Sequence, residues 1–155
     1  MADRKRIERY GRIREQLEEL ISGKSPGLTA AMSTVCAVLH AKMPHHLWTG
    51  FYLNALDDEL HVGPYQGPVA CQILREQGVC LHCVRTALPV VVPDVEKFPG
   101  HIACDSRSKS EIVLPVMKGK KVHSVLDIDS DRLEQFDEDD VECLESILEL
   151  LQPFL

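Results

Sequence analysis

Aromatic side chains are scarce in this 155-residue chain: four Phe, three Tyr and one Trp make up 5% of it. No apolar run approaches the roughly 18 residues a membrane span needs, and Pro89 interrupts the stretch from Ala87 to Val92. Basic residues are outnumbered, 17 against 24 acidic, for a formal charge of −7. Neither a basic stripe nor interleaved aromatics marks a nucleic-acid groove, which sets that class of function aside. Glycine-rich phosphate loops are also missing, and without GxGxxG or GxxxxGK(S/T) dinucleotide and P-loop chemistry have no support. The stretch from Met1 to Gln16 is charged throughout, with no apolar centre and no small-residue cleavage pattern, unlike a secretory signal. The expected compartment is cytosolic. There thiols stay reduced, and cysteines at special spacings are more often catalytic or metal-binding than structural.

What is present fits one domain of ordinary size, expected to span residues 1–155. A chain this long hides about two-thirds of its unfolded surface on folding, so its six cysteines are not required as staples. Apolar residues at Ile7, Tyr10, Ile13, Leu17, Leu20 and Ile21 recur at three and four, the period of an amphipathic helix ending near Gly23. A second helix restarts at Ser25 or Pro26 and buries Leu28, Ala31, Met32, Val35, Cys36 and Leu39, so that helices occupy residues 1–44. The period then shortens. Leu47 to Leu53 and Glu59 to Val62 flank an Asp57-Asp58 turn as a β-hairpin. Gly78 opens a short helix that Pro89 closes, and Val90 to Val92 is a short strand. Glu111 to Met117 and Lys121 to Asp129 form a second hairpin. Sheet and loops therefore fill residues 47–130. Asp137 caps a last helix over 137–151 in a capping-box-like pattern with Asp140, and its run of acids is read as solvated surface. The order predicts an α+β fold, a mostly antiparallel central sheet with flanking helices.

Chemistry concentrates where periodicity is weakest. Cys71, Cys80, Cys83 and Cys104 fall there, and the 18-residue stretch from Pro93 to Ser110 carries no regular pattern. Loops of that length inside compact domains are usually functional or disordered. Cys104 has His101 three residues before it and Asp105 beside it, a polar setting for a thiolate. It reads equally as a loop cysteine of no consequence. Zinc is a competing reading, since Cys80-Leu81-His82-Cys83 is a CxxC that His101 and Cys104 would complete; only one knuckle is regular. Asp127 and Asp129 alternate onto one face of an otherwise apolar strand, VLDID. Buried, they need a cation to meet them; solvated, they start a turn. Trp48 and Tyr52, four apart on a strand, share a face as core packing or as a pocket wall.

Several ordered stretches together resemble a known family: WTGFY from Trp48, GPYQGPVAC to Cys71, QGVC to Cys80, VPDVEKFPGHIACDSRSKSEIVLPV from Val92, and VLDIDS to Ser130. They are similar to the GAF-domain free methionine-(R)-sulfoxide reductases. The resemblance implies a single GAF-like domain that reduces free L-methionine (R)-sulfoxide to methionine. It implies Cys104 as the catalytic thiolate, Cys71 as the resolving cysteine, and Cys80 as a third cysteine able to join the exchange. It further implies Glu111, Asp127 and Asp129 as pocket carboxylates and Trp48 and Tyr52 as an aromatic wall. No bound cofactor or metal is expected. The implied reductant is thioredoxin, itself served by NADPH and thioredoxin reductase, and a homodimer is suggested. Two features depart from the family's pattern: Leu81-His82-Cys83 follows GVC where Gly and small residues are usual, and Cys71 and Cys80 are one residue closer. Both bear on the resolving side of the cycle. The alternative function is a non-catalytic GAF module that senses or binds a small ligand, which would ordinarily be joined to an output domain.

Overall fold

Helices α1 (Arg4–Ile21) and α2 (Leu28–Lys42) precede strands β1 (His46–Leu56), β2 (Glu59–Gln66) and β3 (Ile73–Arg75) in the computed structural model, which describes residues 3–101 and 104–155. Helix α3 (Val79–Thr86), strands β4 (Val90–Val92), β5 (Ser110–Lys118) and β6 (Lys121–Ser130), and helix α4 (Glu138–Leu148) follow. The strands form one sheet in the order β3-β2-β1-β6-β5-β4, with every neighbouring pair antiparallel. Among the described residues no helix is long and apolar enough to cross a membrane.

Strand alternation divides the apolar residues between the two faces of this sheet. Phe51, Ile112, Leu114, Leu126 and Ile128 point to one side and pack on Tyr10, Ile13, Leu17 and Ile21 of α1, on the buried stripe of α2, and on Leu144, Ile147 and Leu148 of α4. Cys36 lies in this core, as its helical position predicts. The other face, with Trp48, Tyr52, Leu60, Val113 and Val125, is covered by the short helix α3 and by loops. A thin, partly irregular cover over one face of a sheet leaves room for a ligand.

Two elements extend the sequence reading. Strand β2 runs on through Gly63 and Pro64 to Gln66, and β3 adds a three-residue edge. Proline is tolerated at that point because β3 pairs only with Glu59–His61, leaving the far edge of β2 at Pro64 without a partner that needs its N–H.

The acidic run from Asp131 is mostly exposed, but Asp140 is buried. The expectation of a purely solvated surface is therefore corrected there. Asp137 accepts hydrogen bonds from the N–H groups of Asp139 and Asp140, and the Asp140 carboxylate accepts from Asp137 N, completing the capping box. The same carboxylate accepts from Tyr10 Oη at 2.8 Å and lies 3.5 Å from Arg6 Nε, which ties α4 to α1. Asp140→Ala would orphan the Tyr10 hydroxyl and the Asp137 N–H together. We expect a loss of about 3 kcal/mol in urea unfolding, against about 0.5 or less for the neighbouring exposed Glu142→Ala.

Candidate active site

Three carboxyl groups meet on the α3 side of the sheet because of strand register. Trp48, Asp129 and Glu111 sit opposite one another across β1, β6 and β5, and Gly50, Asp127 and Val113 form the next row. Asp127 and Asp129 share a face, as alternation predicts, and Glu111 joins them from the neighbouring strand. Glu111 and Asp127 are each 5% exposed, so these groups are pocket floor and not a solvated turn. Among the described residues no lysine or arginine forms an ion pair with any of the three. The nearest cationisable group is His101, whose Nε2 lies 3.9 Å from Glu111 Oε1. Asp127 Oδ1 is buried with no hydrogen-bond partner among the described residues, and Asp129 Oδ1 accepts one bond from Ser108 Oγ at 3.2 Å. Among the described residues, then, no lysine or arginine meets the carboxyls.

Electrostatics follow from that placement. Burial, then the charges of Asp127 and Asp129, pushes the Glu111 carboxyl well above the usual carboxylate range. Burial, with Asp127 beside it, does the same to Asp129, and burial raises Asp127 against hydrogen bonds from Glu111 and Cys80. Such a cluster holds its protons more tightly than free carboxyls do and favours any ligand that brings positive charge.

Aromatic rings wall the cluster. Trp48 stacks between Tyr52, at a ring-centre distance of 5.6 Å, and Tyr65, at 5.3 Å. Tyr65 was not singled out from sequence; its position across from Gly50 in the β1–β2 register is the signal that places it. A Cβ at Gly50 would lie 2.4 Å from both the Trp48 ring and Tyr65 Cβ. Gly50→Ala should therefore displace the indole and part the β1–β2 pairing at Tyr65, weakening ligand binding about tenfold or more and lowering the thermal unfolding midpoint, a comparison of binding with circular dichroism. The buried indole N–H of Trp48 has no partner among the described residues.

The thiols arrive on loops. Cys71 follows β2 and Cys104 lies in the long segment before β5; a disulfide joins them with their Cα atoms 5.6 Å apart. Tyr52 Oη donates to the Cys71 carbonyl at 2.7 Å, fixing that loop to the sheet. The Cys104 segment is pinned where Val95 N donates to Lys109 O and Lys109 N to Ser130 O. At Gly100, with φ +75°, a Cβ would come within 2.8 Å of the Gln77 side chain, so the segment lies against the start of α3. Cys104, Cys80, His101, Trp48, Tyr52 and the three carboxyl residues all line the same pocket.

The remaining candidates separate. Asp105 is engaged by Arg107 through side-chain and backbone hydrogen bonds, which hold its carboxyl down at about 2. Cys80 is buried in the first turn of α3, its thiol pushed well up by burial and then by Asp127 and Glu111. Cys83 turns into the core, donating to the Val113 carbonyl at 3.9 Å, and burial raises it to about 12. With Cys104 bonded to Cys71 and Cys83 facing Val113, the four-ligand zinc set Cys80, Cys83, His101 and Cys104 is not assembled. The cap residue of α3, Gly78, offers no side-chain hydrogen bond, and Gly78 and Val79 also line the pocket.

A six-stranded antiparallel sheet with helices on one face and a ligand-sized pocket under loops on the other is the architecture of a GAF domain. The sequence model of that family, described as GAF domain, matches residues 26–153. GAF domain-containing protein A of Dictyostelium discoideum is 46% identical over 145 residues, covering 93% of this chain and 90% of that protein. The free methionine-R-sulfoxide reductase of Escherichia coli (strain K12) is 36% identical over 151 residues, 97% of this chain and 90% of the other. The X-ray structure of free methionine-R-sulfoxide reductase from Neisseria meningitidis in complex with its substrate superposes with a TM-score of 0.91 at 35% identity, covering 99% of this chain and 90% of that one. The chain belongs to the free methionine-R-sulfoxide reductase family of GAF domains.

Proposed function

We propose that this protein reduces free L-methionine (R)-sulfoxide to L-methionine, with the electrons supplied by its own cysteines. The observation that carries the reading is the Cys71–Cys104 disulfide, whose Cys104 lines a pocket with three carboxyl groups and, among the described residues, no lysine or arginine. A free amino acid supplies what is missing, because its ammonium pairs with the carboxylates, whereas a peptide nitrogen is neutral. Its carboxylate suits the uncapped first turn of α3. The S-methyl end fits the wall of Trp48 and Tyr52, which selects the sulfoxide epimer by shape.

The Cys104 thiolate attacks the sulfoxide sulfur while a protonated carboxyl of the cluster gives its proton to the oxygen. The oxygen passes to Cys104 as a sulfenic acid, and methionine leaves. The Cys71 thiol attacks that sulfur, water departs, and the disulfide forms; two thiols have then reduced one sulfoxide to one sulfide and one water. A thioredoxin-type dithiol restores both thiols by exchange. Cys80 is a third thiol lining the same pocket, held back from this exchange by its burial. The suggested homodimer rests on the family resemblance.

The test supplies thioredoxin, its reductase and NADPH, with the (R)- and (S)-sulfoxides of free L-methionine given separately. NADPH consumption with the (R) form alone is expected. Ligand binding without consumption would replace this reading by a sensing or binding module.

A further inference from the structure

Cys80 stands apart from the disulfide, yet it is the thiol closest bound up with the pocket floor. Its Sγ and one carboxylate oxygen each of Glu111 and Asp127 lie within 4.8 Å of one another. The three donors come from α3, β5 and β6, so their convergence is set by packing between elements. All three residues are at least nine-tenths buried, and Asp127 Oδ1 has no hydrogen-bond partner among the described residues. An orphaned buried oxygen beside a thiol and a second carboxyl is a strong demand for a positive charge, and the thiol decides which kind.

We infer that Cys80, Glu111 and Asp127 bind a thiophilic divalent cation of the Zn2+ or Cd2+ type, which takes the place of the substrate's ammonium and blocks the site. The blocking half rests on the function proposed above; the binding half does not. Sulfur excludes a hard cation such as Mg2+, which prefers an all-oxygen shell. Zinc holds sulfur at about 2.3 Å and carboxylate oxygen at about 2.0–2.2 Å, so tetrahedrally bonded donors lie about 3.4–3.6 Å apart. Side-chain rotations that draw the donors in by about an ångström bring the observed spacing to that value. On binding, the Cys80 thiol proton and the proton held between the carboxyls pass to solvent, and no electron moves. One thiolate and two carboxylates then face a dication, and the fourth position opens to the pocket.

The experiment uses the full chain in its disulfide form, in which Cys71 and Cys104 cannot ligate. Cadmium is titrated while the ultraviolet thiolate-to-metal charge-transfer band is read, and bound metal is counted after gel filtration. One cadmium per chain is expected, with the band. Affinity should fall at least tenfold in Cys80→Ser and also in Glu111→Gln, which leaves every thiol in place. Cys143→Ser, at the half-exposed free thiol on α4, should bind as the parent does. Zinc should compete for the site and Mg2+ should not. L-methionine should weaken cadmium binding in proportion to its concentration. A band that survives Cys80→Ser, or no bound cadmium, overturns the site. Cadmium binding that depends on Cys80 but is indifferent to methionine supports the metal site and overturns the blocking role, together with the placement of the ammonium.

Discussion

Cys104→Ser should lower turnover of free L-methionine (R)-sulfoxide by about 10⁴-fold or more, while Cys71→Ser should yield one methionine per chain and stop. A serine hydroxyl does not ionise near neutral pH and cannot form the sulfur–oxygen intermediate, so the first variant fails at the first step. The second variant completes that step, then holds a sulfenic acid with no thiol across from it. Cys80 and Cys83 are poor substitutes, since both are buried and both are pushed away from the thiolate form. Methionine released per chain without added reductant distinguishes the two, and a sulfenic-acid trapping reagent should label Cys104 in Cys71→Ser alone. Sustained turnover by Cys71→Ser would sink the assignment and hand the resolving role to Cys80. Both variants must be compared with the reduced parent. The disulfide spans 33 positions, and on the loop-entropy argument its loss removes up to about 4 kcal/mol of stability.

Legibility in the sequence tracked whether a feature depends on local period or on register between distant strands. The amphipathic period of α1 and the capping box at Asp137 are local, and they appear where the spacing put them. The hairpin of β5 and β6 is local too. Strand β3 was not, because three residues carry no period and only its pairing with Glu59–His61 makes it a strand. Alternation placed Asp127 and Asp129 on one face, but their meeting with Glu111 depends on which residues of β5 and β6 face one another. Tyr65 escaped for the same reason: Gly63 and Pro64 look like a strand end until the long β1–β2 pairing carries the chain past them. Asp140 reads as the partner of Asp137 in that capping box on an otherwise solvated run, and its burial escapes because only the packing of α1 on α4 brings Tyr10 to it. The thiols were visible as a group, whereas their pairing required two loops to be folded onto one pocket.

Glu111→Gln and Asp129→Asn should each make the ligand-free protein more stable while costing about 10²–10³-fold in kcat/KM. Like charges buried together without a cation are a standing cost, and an amide keeps the shape while removing one of them. A gain of about 1–2 kcal/mol is expected, or about 3–6 °C in Tm for a chain of this size. The pH dependence gives the sign independently. Glu111 and Asp129 have native pKa values above their unfolded ones, so in the window between the two the native state holds more protons than the unfolded chain. Parent stability therefore falls as pH rises from about 4 through that window, and the variants lose less. Well below about pH 4 Glu111 and Asp129 are protonated in both states, and the advantage of the variants should vanish. Ligand reverses the order at neutral pH: saturating L-methionine brings the missing cation and should raise the Tm of the parent, but barely that of either variant. Urea unfolding across pH, with and without methionine, measures all of this on folded protein without reference to turnover. Variants that are less stable than the parent at neutral pH would mean that the cluster is held by its shared protons and hydrogen bonds, and the site would then be a structural network instead of a cavity waiting for a cation.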